Sequence, residues 1–306
     1  MRVAVTGAGG RLGRALIAAL EDAPFTGPGG PIGWSRPAYD LDAPAGVVSL
    51  LRHDRPDVVV HTAAWTDVDA CARDPELAQH RNGAATGVLA RMCEAAGVDL
   101  VVISTNEVFD GQRRDGRGYR PDDPTGPINA YGASKLAGES LATEAFARGR
   151  SGPSLGIVRT AWLFGPPGAD FPAKIVAAAR GAAAAGRPLS VVGDDEVGSP
   201  TSAPDVAEAI VELLGAGAVT GVHHVVNGGR ASRAAWAREV LRLADLAVEV
   251  EEVPASMWPR ASTPPRWAVL EPTPLPSGEP LRAWQAALAD EAGRLRRAAQ
   301  APVAAG

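Results

Sequence analysis

A short apolar stretch, Val3–Thr6, runs straight into Gly7-Ala8-Gly9-Gly10-Arg11-Leu12-Gly13, and a helical pattern follows over Arg11–Glu21. No other feature of the chain restricts its fold as much. Gly7, Gly10 and Gly13 make the spacing G-x-x-G-x-x-G between a strand and a helix. A side chain at such positions would keep the backbone away from a pyrophosphate. The helix offers unpaired N–H groups and the positive end of its dipole to the same anion. Gly7, Gly9, Gly10, Arg11, Leu12 and Gly13 are therefore the expected dinucleotide-binding loop.

The rest of the first half fits a sheet behind that loop. Asp57–His61, Leu100–Ser104 and Leu155–Arg159 are short, nearly continuous apolar runs. Ala78–Ala96 and Tyr131–Ala147 carry helical spacing, and Thr62–Asp69 reads as a loop. Apolar strands separated by helices indicate a parallel sheet covered on both faces. The expected class is α/β, a Rossmann-type doubly wound parallel sheet. After Arg159 the pattern loosens. Ala173–Ala185, Asp205–Leu214 and Arg233–Ala244 read as helices, and Leu189–Val192 and His223–Val226 as short strands. Proline and glycine are dense between Pro254 and Pro280, and a last helix is expected over Leu281–Ala298. The expected division is a dinucleotide-binding domain over 1–160 and a smaller C-terminal substrate-binding lobe over 161–300, partly interleaved with the first. Residues 301–306 form an expected frayed tail.

Composition removes several function classes. The 306 residues carry a net charge of −5, which leaves no dense basic face for nucleic acid. Cys71 and Cys93 form no C-x-x-C pair, and the five histidines lack ligand spacing, so no metal site is expected. The chain enters a strand at once, without a charged leader or cleavage site, and has no apolar run near the roughly 20 residues of a membrane span. A cytoplasmic protein, monomer or homodimer, is the expectation.

The second strand is expected at Ile32–Trp34 and is followed by Ser35-Arg36, not by an acidic residue. An NAD site would place Asp or Glu there to bind the ribose hydroxyls. Ser35 and Arg36, with Arg11 helping, suit a 2′-phosphate, because a guanidinium pairs with phosphate in bidentate fashion. NADP, used as NADPH rather than NADH, is the expected cofactor. A solvated surface arginine is the alternative reading of Arg36.

Tyr131-Gly132-Ala133-Ser134-Lys135 places Tyr131 and Lys135 four residues apart, on one helix face. A neighbouring ammonium is expected to lower the tyrosine pKa, so that the phenol can give a proton to a carbonyl oxygen as hydride arrives. Lys135 can also bind the nicotinamide ribose. Thr105, at the end of the strand Leu100–Ser104, can hold the substrate oxygen.

The ordered motifs resemble those of the extended short-chain dehydrogenases, and specifically the dTDP-4-dehydrorhamnose reductase group. The matching stretches are Thr6–Gly13, Ala63–Asp69, Ile103–Gly111, Tyr131–Glu139, Arg159–Gly165 and Gly198–Thr201. The resemblance implies an NADPH-dependent reduction of a keto group, at position 4, on a nucleotide-linked deoxysugar. It implies catalytic roles for Thr105, Tyr131 and Lys135. Asp40 and Leu41 would lie beside the adenine, and Ala63 and Ala64 over the cofactor ribose and phosphates. Val68 and Trp162 would meet the sugar, with core packing as the alternative for Trp162.

The chain departs from that group around the substrate. Asn106-Glu107 stands where the group has Asp-Tyr, Asp194-Asp195-Glu196 where it has an Asp-Gln pair, and Pro265-Arg266 where it has Arg-Pro. Asn106, Glu107 and Arg266 are nonetheless the expected substrate contacts. Glu107 also opens a redox-neutral alternative, a sugar-nucleotide dehydratase or epimerase. Against this, the amide of Asn106 cannot serve as the second acid. A non-catalytic, NADP-binding regulatory subunit, like the β subunit of methionine adenosyltransferase, is a further alternative.

Overall fold

The computed structural model describes residues 1–148, 152–193 and 195–301. The expected frayed tail lies, from residue 302 onward, outside the described residues.

The first half lays down most of the sheet. β1 (Val3–Thr6) is followed by α1 (Arg11–Glu21), whose Leu12, Leu16 and Leu20 recur every four residues and are buried. Burying each such leucine contributes roughly 1.5–3 kcal/mol. Next come β2 (Ile32–Trp34), α2 (Val47–Asp54) and β3 (Val58–His61). The segment expected to be a loop through Asp69 turns helical earlier, as α3 (Val68–Arg73). The reason is a cap: the Asp67 side chain accepts a hydrogen bond from the Ala70 N–H at 2.9 Å. Asp74 likewise caps α4 (Pro75–Ala78). The expected helix Ala78–Ala96 is a wide π-helical segment, Gln79–Ala84, leading into α5 (Ala85–Ala96). β4 (Asp99–Thr105), α6 (Ala130–Ala147) and β5 (Leu155–Thr160) complete the half.

The second half is β6 (Leu163–Phe164), α7 (Phe171–Ala184), β7 (Leu189–Val192), β8 (Val197–Gly198), β9 (Thr201–Ser202) and α8 (Ala203–Gly215). β10 (Gly221–His224), β11 (Ala231–Ser232), α9 (Arg233–Leu243), β12 (Val250–Val253) and β13 (Trp267–Ala268) follow. The last expected helix is two: α10 (Trp284–Ala289) and α11 (Ala292–Gln300). Its start is delayed because the Arg282 carbonyl accepts from Gly228 N and the Arg282 guanidinium grips both oxygens of Asp205 at 2.9 Å.

The central sheet has the order β10-β5-β4-β3-β1-β2, and every pair in it is parallel. From β1 the chain goes out to β2 on one side and returns to β3 on the other. The order therefore reverses between β1 and β3, and a crevice opens at the carboxyl ends of these strands. β10, from the second half, pairs with β5 and so crosses the expected division at residue 160. α8 packs on α1, and Leu16 and Leu20 share one core with Val206, Ile210 and Leu213. A separate core around Trp236, Val240, Leu288 and Leu295 supports the C-terminal lobe. No helix among the described residues is long and apolar enough to cross a membrane.

Candidate active site

The glycine loop forms a cradle that side chains would fill. Gly7 has φ +63°, and a Cβ there would lie 2.8 Å from Ala63 Cα; a Cβ on Gly13 would lie 2.2 Å from the Gly7 carbonyl oxygen. Gly10 caps α1, so the N–H groups of Arg11, Leu12 and Gly13 have no partner inside the helix. The loop thus presents bare backbone donors at the switch point, the shape and charge that a dinucleotide pyrophosphate requires.

Two crevices meet at this loop. One, of about 450 Å³, is lined by Gly7, Gly9, Ser35, Arg36, Asp40 and Leu41, among others. The second, of about 660 Å³, is lined by Leu12, Gly13, Val68, Thr105, Asn106, Glu107, Tyr131, Lys135 and Trp162. Gly10, Thr62 and Ala64 border both, which makes one continuous groove. Ser35 Oγ accepts from the Gly9 N–H at 3.2 Å, and Arg36 is exposed at the groove wall. Arg11 corrects its expectation. Its guanidinium donates to the carbonyls of Gly165 (2.9 Å) and Pro167 (3.3 Å) and lines the second crevice, away from Ser35 and Arg36. The arginine that joins Arg36 at the first crevice is Arg81, which clamps both oxygens of Asp42 at 2.7 Å.

Behind the loop, a buried hydrogen-bond chain fixes the backbone. The Thr86 hydroxyl donates to the Asn82 carbonyl at 2.7 Å, so the 3.2 Å contact between Thr86 Oγ1 and His61 Nε2 is donated by the ring. His61 Nδ1 then accepts from the Thr6 hydroxyl at 2.8 Å, and Thr6 Oγ1 accepts from the Ala63 N–H at 3.2 Å. Burial, helped by the charge of Lys135, pushes the His61 pKa down to about 3, so the ring stays neutral. The Asn82 side chain, on the π-helical segment, accepts from Trp65 N and donates to Trp65 O and to Ser134 Oγ. It ties the loop over the groove to the helix that carries Tyr131 and Lys135.

That helix, α6, starts at a cap: Asn129 Oδ1 accepts from the Gly132 N–H at 2.8 Å. Lys135 is buried, and burial pushes its pKa down to about 8 against the pull of Glu139 one turn further on. Glu139 itself is held by Arg159 in a buried ion pair of 2.7 Å. The expected lowering of Tyr131 is not found. Burial first, and Glu107 second, hold its phenol above the ordinary value, with the Thr105 hydroxyl acting the other way. Tyr131 is therefore protonated, the form that can donate to a carbonyl oxygen. The Thr105 hydroxyl points to Asn106 Oδ1 at 3.2 Å, and Asn106 Nδ2 donates to the Ala268 carbonyl at 3.1 Å. Asn106 is thus spent on orienting Thr105 and anchoring β13.

Trp162, with φ +41°, lines the crevice with one part of its ring and packs with the rest. It stacks on Trp236 at 5.7 Å between centroids and carries the Arg233 guanidinium 3.5 Å above its ring. Arg233 pairs with Glu196 at 3.1 Å and borders a third cavity of about 880 Å³. Lys174, Arg187, Arg233 and Arg260 line that cavity against a single carboxylate, Glu196. Arg266 corrects its expectation. Its side chain is 76% exposed, pairs with Asp195 at 3.3 Å and lies outside these cavities. Arg260 lines the third cavity instead, and Arg260 and Ser262 N both bond Asp69 of α3. Asp194 lies outside the described residues.

A glycine cradle at the sheet's switch point, with a part-buried Tyr131, a buried Lys135 and a threonine in the same groove, defines an oxidoreductase of the extended short-chain dehydrogenase class. The family model described as RmlD substrate binding domain matches residues 1–296. The dTDP-4-dehydrorhamnose reductase of Streptomyces griseus is 38% identical, covering 98% of this chain and 95% of the relative. Two solved structures are similar. The dTDP-4-dehydrorhamnose reductase ortholog from Clostridium acetobutylicum has a TM-score of 0.85 and 28% identity, over 97% of this chain and 100% of that one. That of Bacillus anthracis, solved in complex with NADP, has a TM-score of 0.81 and 29% identity, over 94% and 96%. The chain belongs to the dTDP-4-dehydrorhamnose reductase family.

Proposed function

We propose that the protein reduces the keto group of a dTDP-linked keto-deoxysugar with NADPH. The observation that carries this reading is a single groove that joins the pyrophosphate cradle to Thr105, Tyr131 and Lys135 and runs on to Trp162. When bound, NADPH supplies the hydride that goes to the keto carbon.

The chain's own residues do the rest. Gly7, Gly10 and the first N–H groups of α1 bind the pyrophosphate, while Ser35 and Arg36 receive the 2′-phosphate. Asp40 and Leu41 flank the adenine, and Ala63 and Ala64 cover the ribose. Lys135 binds the nicotinamide ribose. Tyr131 hands its phenolic proton to the substrate oxygen as negative charge develops there, and Thr105 orients that oxygen. Trp162 supports the sugar ring, with Val68 lining the same crevice. The nucleotide diphosphate lies in the cationic cavity under Arg233 and Arg260, where Trp258, 51% exposed, offers an aromatic face.

Tyr131→Phe removes the proton donor and leaves the ring. Turnover of NADPH with a dTDP-4-keto-6-deoxysugar is expected to fall by about 10²–10⁴-fold, while NADPH binding, read by fluorescence titration, stays within a factor of two or so of wild type. Wild-type turnover by the variant would refute the assignment.

A further inference from the structure

Two acids line the reaction chamber without a part in the mechanism above: Asp170, which caps α7 and pairs with Arg294, and Glu107. Glu107 stands on the 3₁₀ turn Asn106–Val108 after β4 and lines the same crevice as Thr105, Tyr131 and Trp162. Its Oε2 accepts from Asn129 Nδ2 at 2.7 Å. Asn129 is itself immobilised, because Oδ1 caps α6 and Nδ2 also donates to the Thr263 carbonyl at 3.1 Å. Glu107 Oε1 has no hydrogen-bond partner among the described residues and is not among the sealed polar atoms. One oxygen is thus pinned to the protein, and the other faces open space beside the tyrosine.

The charges around Glu107 come from several elements. Arg233 of α9 and Arg260 of the loop after β12 favour the carboxylate, while Glu196 before β8 opposes it. Each arginine already has a carboxylate of its own, Glu196 for Arg233 and Asp69 for Arg260. Cys71 of α3 and Tyr131 of α6 also feel Glu107, and both are held neutral, chiefly by burial. Burial is the largest influence on Glu107 and raises its pKa. A carboxylate here would also oppose the negative charge that develops on the substrate oxygen next to Tyr131.

We propose that Glu107 is a substrate-binding acid whose free oxygen hydrogen-bonds a sugar hydroxyl beside the keto carbon and so selects sugars that keep this hydroxyl. The inference rests on the ketoreductase reading. Its logic is general: a site built to bond a hydroxyl rejects the analogue without it far better than an apolar pocket could. Glutamine fits the same place, with its carbonyl facing Asn129 and its amide N–H₂ facing the chamber.

The test compares wild type, Glu107→Gln and Glu107→Ala at one fixed pH. Two readouts are used. One is NADPH consumption with a dTDP-4-keto-6-deoxyhexose and with its counterpart lacking the neighbouring hydroxyl. The other is calorimetric binding of the unreactive dTDP-6-deoxyhexose. In wild type, KM favours the sugar that keeps the hydroxyl. Glu107→Gln keeps tight binding and that preference. Glu107→Ala weakens binding by about 10–100-fold and no longer separates the two sugars, in line with one lost hydrogen bond to substrate. Discrimination unchanged in Glu107→Ala, or lost in Glu107→Gln, overturns the proposal. A wild type that binds the unreactive sugar nucleotide more tightly than Glu107→Ala yet consumes no NADPH supports the Glu107 contact and overturns the reductase reading instead.

Discussion

Gly198→Ala separates the two roles of Trp162. The indole lies across Gly198, so closely that a Cβ would sit 2.5 Å from Cε2, 2.6 Å from Cζ2 and 2.9 Å from Cδ2. Carbon atoms pack at about 3.5–4.0 Å, so the ring must withdraw by about 1 Å. Its retreat is restricted, because Trp236 stacks beside it and the Arg233 guanidinium covers it at 3.5 Å. The open side is the reaction chamber, so the ring moves into space that the sugar needs. Overpacking of this kind costs about 1–3 kcal/mol, and Tm falls by a few degrees. A displacement near 1 Å at a reacting centre costs about 10²-fold in rate. Steady-state NADPH oxidation should show kcat/KM for the keto sugar falling by that order. The Kd for NADPH should stay unchanged, since Trp162 does not border the first crevice. A variant with lowered Tm but intact kcat/KM would show that Trp162 fills the core and does not support the sugar.

Two other perturbations probe the cofactor half. Arg36→Ala removes the exposed guanidinium at the groove wall; KM for NADPH should rise by about 10–100-fold, the value of one charge-assisted pair, while KM for NADH stays level. An equal effect on both cofactors would place the 2′-phosphate elsewhere. The buried Lys135 ammonium, with its pKa near 8, loses its proton as pH rises through that value. Its charge is present below pH 8 and absent above it, so kcat/KM should decline on the alkaline side of about 8. A flat profile to pH 10, roughly the ordinary lysine value, would deny the ammonium a role.

The sequence revealed features whose signal is local. The glycine loop, the Tyr131/Lys135 pair and the apolar strands each follow from spacing over a few residues, and the structure brings them to one groove. The starts of α3 and α4 carry local signals too, Asp67 and Asp74-Pro75, although a loop is expected through Asp69. Other features depend on contacts between distant segments and leave no local trace. Arg233 and Arg260 border the cationic cavity while Arg266 does not, and only the path of the loop after β12 decides this. Arg11 was misplaced for the same reason: its acceptors are carbonyls more than 150 residues away. Asn82 was missed because its partners, Trp65 and Ser134, lie on separate segments. The upward shift of Tyr131 needed the enclosing walls, since a Tyr–Lys spacing reports the cation but not the burial.

The sixth strand of the sheet, Gly221–His224, arrives late in the chain. Until the ribosome has released it, β5 presents a bare edge and the leucines of α1 lack the α8 residues that cover them. A stalled or clipped polypeptide ending near residue 160 would therefore carry an open template for strand addition and an apolar stripe, the two features that drive newly made chains to aggregate. Cutting the gene at that point would not release a working cofactor module.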